Sequence, residues 1–189
     1  MRLFVAVELS ERVREAAANA ARELQRRLES SMHPKWVAAE NMHLTVRFIG
    51  HVPDERVPPV LEAVRPPLAL APFQLTLDRC GVFPPSGPPR VVWIGFSSGR
   101  SALQTMHEEL TSRLLPLGFR AETRPFTAHL TLARIKDARR GAGAIAREAV
   151  REVSPSAAGC LISHATVFES HLSPQGSRYT PLFPIPLTA

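Results

Sequence analysis

His43-Leu44-Thr45-Val46 and His129-Leu130-Thr131-Leu132 are two copies of one pattern in a chain of 189 residues. In each copy a polar residue alternates with an aliphatic one, the two-residue period of a strand with one face in a core and the other open. Histidine and threonine then stand side by side on the open face, a proton-transfer group next to a hydroxyl donor. Two such strands facing one another can hold a small anion between two imidazoles. The repetition gives the pattern its weight, because a single His-Leu-Thr in a chain with seven histidines would mean little.

Working outward, residues 2–9 are rich in Leu, Phe and Val and read as a buried strand. Ser10 is an N-cap for a helix reaching about Leu28, with Val13, Ala17, Ala20, Ala21, Leu24 and Leu28 on one stripe. Residues 31–41 read as a connection containing Lys35-Trp36-Val37. In the strand 43–50, simple alternation puts His43, Thr45 and Arg47 on one face and Leu44, Val46 and Phe48 on the other. Asp54 caps a short helix over about 55–65, which Pro66-Pro67 stops. Strands at 72–83 and 90–96 form a hairpin around Pro84–Pro89, and Ser98 or Ser101 opens a helix to about Leu115.

The second His-Thr strand runs over 128–135, followed by a helix at 141–152 and a strand at 159–170. A turn at Ser173-Pro174-Gln175-Gly176 leads to a last strand near Arg178-Tyr179. Arg134 lies an odd number of residues from His129, so it reaches the same face only if the strand bulges between them, which is the expectation. This order of elements is α+β, in a single domain over 1–189 with one His-Thr strand in each half.

The formal charge of +6 and the pI near 10.5 fit an anionic partner, RNA or a phosphate ester, although arginines on helix faces also serve solubility. Cys80 and Cys160 match no zinc-ligand spacing and fit a reducing cytosol. The apolar start Met1–Val7 is too short for a signal sequence, and no run approaches the ~20 apolar residues of a membrane span, so a cytoplasmic location is expected. No heptad argues against a monomer.

Two imidazoles with ordinary pKa values near ~6.5 can be held one neutral and one protonated, as concerted acid–base chemistry requires. The phosphoryl oxygens gain charge in the transition state, and Thr45 and Thr131 can donate hydrogen bonds to them. No metal or other cofactor is needed. The chain has no GxxxxGK[ST] loop, GxGxxG, GxSxG or HExxH, and a loose metal site built from the two histidines and Glu40 is the lesser reading. His33, His51, His107, His164 and His171 read as structural.

These residues in their context resemble the 2H phosphoesterase superfamily, specifically its RNA 2′,3′-cyclic phosphodiesterase branch, also called the 2′-5′ RNA ligase family. The stretches concerned are Arg2–Ala6, Trp36-Val37, Glu40–Gly50, Pro89–Trp93, Arg124–Arg134, Glu169-Ser170 and Gly176–Tyr179, nearly the whole length. Ala128 departs from the family's frequent proline before the second histidine. The resemblance implies a bilobal fold with two antiparallel sheets lining a central cleft, helices outside and one motif on each sheet. It also implies hydrolysis of a terminal RNA 2′,3′-cyclic phosphate to a 2′-phosphate, with His43 the proton donor and His129 the acceptor. Arg47 and Arg134 are then candidate phosphate partners, and Trp36, Phe126 and Tyr179 candidate base platforms, with ordinary core packing an equal reading for Trp36 and the favoured one for Phe126. RNA ends, tRNA fragments or small cyclic nucleotides are the implied substrates. The alternatives are reversible 2′-5′ joining, 2′-5′ phosphodiester cleavage, or RNA binding without turnover.

Overall fold

The computed structural model describes residues 1–29, 32–138, 141–173 and 176–188. Among these residues there are ten strands and four α-helices. The strands are β1 (Arg2–Glu8), β2 (Met32–Trp36), β3 (His43–His51), β4 (Leu68–Ala69), β5 (Phe73–Phe83), β6 (Val91–Ser98), β7 (Leu130–Ala138), β8 (Gly159–Ile162), β9 (His164–Ser173) and β10 (Gly176–Thr188). The helices are α1 (Glu11–Leu28), α2 (Val57–Val64), α3 (Arg100–Leu114) and α4 (Ala142–Glu152).

Two five-stranded sheets result, ordered β3-β1-β9-β10-β4 and β2-β7-β6-β5-β8. All pairings are antiparallel except the short β10–β4 contact. Helices α2 and α3 pack behind the first sheet, and α1 and α4 behind the second. Each sheet therefore hides one face under helices and leaves the other open towards the cleft. The α1 stripe shows the local cause: the Ser10 hydroxyl accepts from the Val13 amide at 3.4 Å, and Val13, Ala17, Ala20, Ala21, Leu24 and Leu28 are all buried.

Three elements differ from the reading by pattern. Met32–Trp36 is an edge strand rather than a connection: Met32, Pro34 and Trp36 alternate with exposed His33 and Lys35, and an edge tolerates the missing proline N–H. The single strand over 159–170 is two strands in different sheets, β8 pairing with β5 and β9 with β1, broken at Ser163. No serine caps α3; Gly99 does so with φ at 80°, where a Cβ would lie 2.8 Å from the Gln74 carbonyl. Asp54 opens a 3₁₀ turn that precedes α2. The strands around the last turn pair as expected from Ser173 to Gly176, while Pro174 and Gln175 lie outside the described residues. Removing the first cap tests how α1 is started: Ser10→Ala should cost about 1 kcal/mol, a fall of about 2–4 °C in the melting midpoint by calorimetry.

Candidate active site

Each His-x-Thr strand carries one unpaired residue three positions after its histidine. Against β1, Val5 pairs with Arg47 but Ala6 pairs with Thr45, so Val46 has no partner. Against β6, Val92 pairs with Ala133 but Trp93 pairs with Thr131, so Leu132 has none. A slip of this kind turns two successive side chains to one side and reverses the alternation beyond it. Val46 and Arg47 both face inward, as do Leu132 and Ala133, and the next residues, Phe48 and Arg134, are exposed. Arg134 thus joins Thr131 on the open face by the expected bulge.

The same device corrects the face assignment of Arg47. Its partner across the ladder is the fully buried Val5, and the guanidinium is only 2% exposed. Nη2 donates to the Arg120 carbonyl at 2.6 Å, and Nη1 lies 3.6 Å from a Glu122 carboxylate oxygen. Burial lowers its pKa, with Glu122 acting in the opposite direction. Arg47 therefore braces the chain at 120–122 from behind the sheet rather than standing beside His43.

The two imidazoles are held alike. His43 Nδ1 lies 2.8 Å from the Asn41 carbonyl oxygen, and His129 Nδ1 lies 2.7 Å from that of Thr127. A carbonyl can only accept, so Nδ1 carries the proton and Nε2 of the neutral ring is left as the reactive atom. His43 sits among the rings of Phe4, at 5.0 Å, Phe168, at 6.1 Å, and Tyr179, edge-on at 4.8 Å. Phe83 meets His129 edge-on at 5.1 Å. Desolvation by these surroundings is the main cause that lowers both histidine pKa values, and the backbone hydrogen bonds partly oppose it. The positive charge of Arg134 lowers both further. Arg134 thus acts on imidazoles of both sheets, and the two motif strands themselves meet where β3 packs against β7.

Glu8, the cross-strand partner of His43, breaks the symmetry. Its carboxylate accepts from the Thr166 hydroxyl at 2.8 Å and raises the His43 pKa, and no carboxylate acts on His129 in this way among the described residues. Composition could not have singled out Glu8, because it is the ladder register that sets it opposite His43. Trp93 was equally hidden. Its ring lies flat on the open face between Gly81 and Gly95, where a Cβ on Gly81 would come within 2.2 Å of it, and it stacks on Phe83 at 4.9 Å. Gly95, two residues along the same face, was the available signal. Lys35, paired with Arg134, adds a second cation to that face.

Of the other expected residues, Thr45 pairs with Ala6 and Thr131 with Trp93, both on the open faces, and Tyr179 packs on the cleft side with Phe4, Ala6 and Phe168. Trp36 does not join them: it pairs with buried Ala133 and packs against the main core. Phe126 stacks on His107 with centroids 4.5 Å apart and planes 11° off parallel. His107 in turn donates from Nδ1 to the Val46 carbonyl at 2.7 Å, the residue left unpaired by the first slip. One buried imidazole therefore links the first motif's slip to the chain that enters the second motif. Among the described residues, no group of three His, Cys, Asp or Glu side chains is placed to hold a metal ion. No helix among them is long and apolar enough to cross a membrane.

Two facing sheets, each presenting a backbone-locked histidine and a threonine to a shared cation, make the architecture of a two-histidine phosphoesterase. The family model described as LigT like Phosphoesterase matches the chain in two successive segments, residues 12–93 and 94–179, each containing one motif. An RNA 2′,3′-cyclic phosphodiesterase of Archaeoglobus fulgidus is 35% identical over 136 residues, 72% of this chain and 73% of the relative. The crystal structure of TT0787 from Thermus thermophilus superposes with a TM-score of 0.79 at 29% identity, over 99% of this chain and 98% of that one. E. coli LigT complexed with 3′-AMP gives 0.75 at 30% identity, over 100% and 98%. The chain belongs to the LigT-like phosphoesterase family.

Two substitutions test the electrostatics and the bracket. Removing the shared cation by Arg134→Gln should move the His43 and His129 titrations to higher pH, whereas Glu8→Gln should lower that of His43 and leave that of His129 unchanged, both read by NMR of the imidazole protons. His107→Ala removes a buried hydrogen bond and a stacked ring and should destabilise the fold by about 2–4 kcal/mol in chemical denaturation.

Proposed function

We propose that the protein hydrolyses a terminal RNA 2′,3′-cyclic phosphate to a 2′-phosphate by metal-independent acid–base catalysis, with His43 the acid and His129 the base. The observation that carries this reading is the pair of imidazoles, one beside each sheet, each held through Nδ1 by a backbone carbonyl so that Nε2 is free. In-line displacement at phosphorus needs a proton acceptor on the side of attack and a proton donor on the side of departure. Opposed sheets supply both sides. Glu8, cross-strand from His43, acts towards its protonated form and has no counterpart at His129 among the described residues, which supports His43 as the donor.

The steps follow from that assignment. His129 Nε2 takes a proton from water as its oxygen bonds to phosphorus. The P–O3′ bond breaks, and O3′ receives the proton of His43 Nε2, leaving the phosphate on O2′. Thr45 and Thr131 donate to the non-bridging oxygens, and Arg134 offsets the charge that grows on them. His129 then returns its proton to solvent and His43 regains one. The name of the Archaeoglobus relative and the 3′-AMP bound to E. coli LigT support a phosphorylated nucleotide substrate. The protein acts as a monomer in the cytoplasm on this reading, and 2′-5′ joining is the same displacement with the 5′-hydroxyl of a second RNA in the place of water.

A short RNA ending in a 2′,3′-cyclic phosphate, incubated in EDTA, tests the reaction. Wild type should yield the 2′-phosphate, and His43→Ala and His129→Ala should each lower kcat by about 10²–10⁴-fold with unchanged circular dichroism. A 3′-phosphate product would reverse the leaving oxygen, inhibition by EDTA would sink the metal-free mechanism, and RNA binding without product would leave a binding module.

The pH dependence has a definite sign. His129 must be neutral and His43 protonated, and both pKa values lie below the ordinary value. The bell in kcat/KM should therefore centre on the acid side of about 6.5, its limbs belonging to the pair.

A further inference from the structure

Beside the second motif lies a cavity of about 220 Å³ whose wall includes Trp93, Phe126, Thr127 and Ala128. Thr127 and Ala128 are the residues that lead into His129, and Trp93 is the cross-strand partner of Thr131, so this cavity and the catalytic face share a wall. The rest of the wall carries Arg79, Arg100, Gln104 and Asp78. Both arginines are exposed and neither is in an ion pair among the described residues. Asp78 offsets one of the two charges, leaving the wall net positive. The indole N–H of Trp93 is buried and has no acceptor among the described residues.

We infer that this cavity is a subsite for the nucleotide on the 5′ side of the cyclic phosphate, so that the enzyme prefers an RNA chain to a cyclic mononucleotide. The inference rests on the cyclic phosphodiesterase reading above. A 2′,3′-cyclic phosphate closes the 3′ end of its strand, so the substrate continues only through its 5′ oxygen to another phosphate. A cavity adjoining the catalytic face, with two unpaired guanidiniums, suits that phosphate, because arginine presents a planar fork of donors to its oxygens. The half-buried rings of Trp93 and Phe126 offer the sequence-tolerant stacking that unpaired bases use. Asp78 and Gln104 supply an acceptor and an amide for ribose hydroxyls or a base edge. Gly81 and Gly95 keep the Trp93 ring flat, so the cavity stays open.

The test compares adenosine 2′,3′-cyclic phosphate with the dinucleotide ApA carrying the same cyclic end, for wild type, Arg79→Ala, Arg100→Ala and Arg100→Lys. Wild type should favour the dinucleotide in kcat/KM. Each alanine variant should shrink that preference through KM, and Arg100→Lys should restore part of it. The salt dependence of dinucleotide KM should also become shallower by about 0.7 in log–log slope for each arginine removed. A preference that is absent in wild type, or unchanged in both alanine variants, overturns the subsite while leaving the catalytic reading intact. Failure of wild type to hydrolyse either compound would instead overturn the cyclic phosphodiesterase reading, and the subsite with it.

Discussion

Two unpaired residues, Val46 and Leu132, decide which side chains reach the cleft. A strand in strict alternation would carry Arg47 beside His43 and send Arg134 into the core. A slip just after each motif threonine reverses the faces beyond it, so the first strand buries its arginine and the second exposes its own. Two similar motifs thereby give a site with one central guanidinium. A second guanidinium at Arg47's position on the open face would repel the first and depress both imidazoles further.

The remaining asymmetry is small in structure and large in consequence. Both histidines are locked through Nδ1 to a carbonyl two residues back, and both lose water to neighbouring rings. Glu8 acts on one of them alone. In a nearly symmetric pair that carboxylate is a difference between the two rings, since loss of water, a backbone hydrogen bond and the charge of Arg134 are common to both. The carboxylate is itself held by the Thr166 hydroxyl across two strands, so this bias is built from β1, β3 and β9 together.

What sets the distance between the half-sites is buried behind them. His107 ties the free carbonyl of the first slip to Phe126, and Arg47 ties the same strand to the carbonyl of Arg120. The segment they restrain runs into Thr127, whose carbonyl orients His129. Residues read as structural or as phosphate ligands thus share one task, holding the second motif in place against the first.

The two His-x-Thr strands, the α1 stripe with its Ser10 cap, the β5–β6 hairpin and the α+β class were legible in the chain, because each depends on periodicity or on a cap within a few residues. That the two His-x-Thr copies are like elements was legible for the same reason. Sequence alone missed the edge strand at Met32–Trp36 and the break at Ser163, where strands are defined by pairing partners far along the chain. It also put Arg47 on the wrong face of its strand and left Trp36 in a connection, and it could not see Glu8, Trp93 or His107 beside the two motifs. Ladder register is a long-range quantity: a slip of one residue changes which groups meet without changing the local pattern by which a strand is recognised. The chain by itself therefore determined where the two His-x-Thr motifs lie and that each starts a strand. Tertiary structure alone decided which of them share a face, because faces are set by register and register by the packing of both sheets.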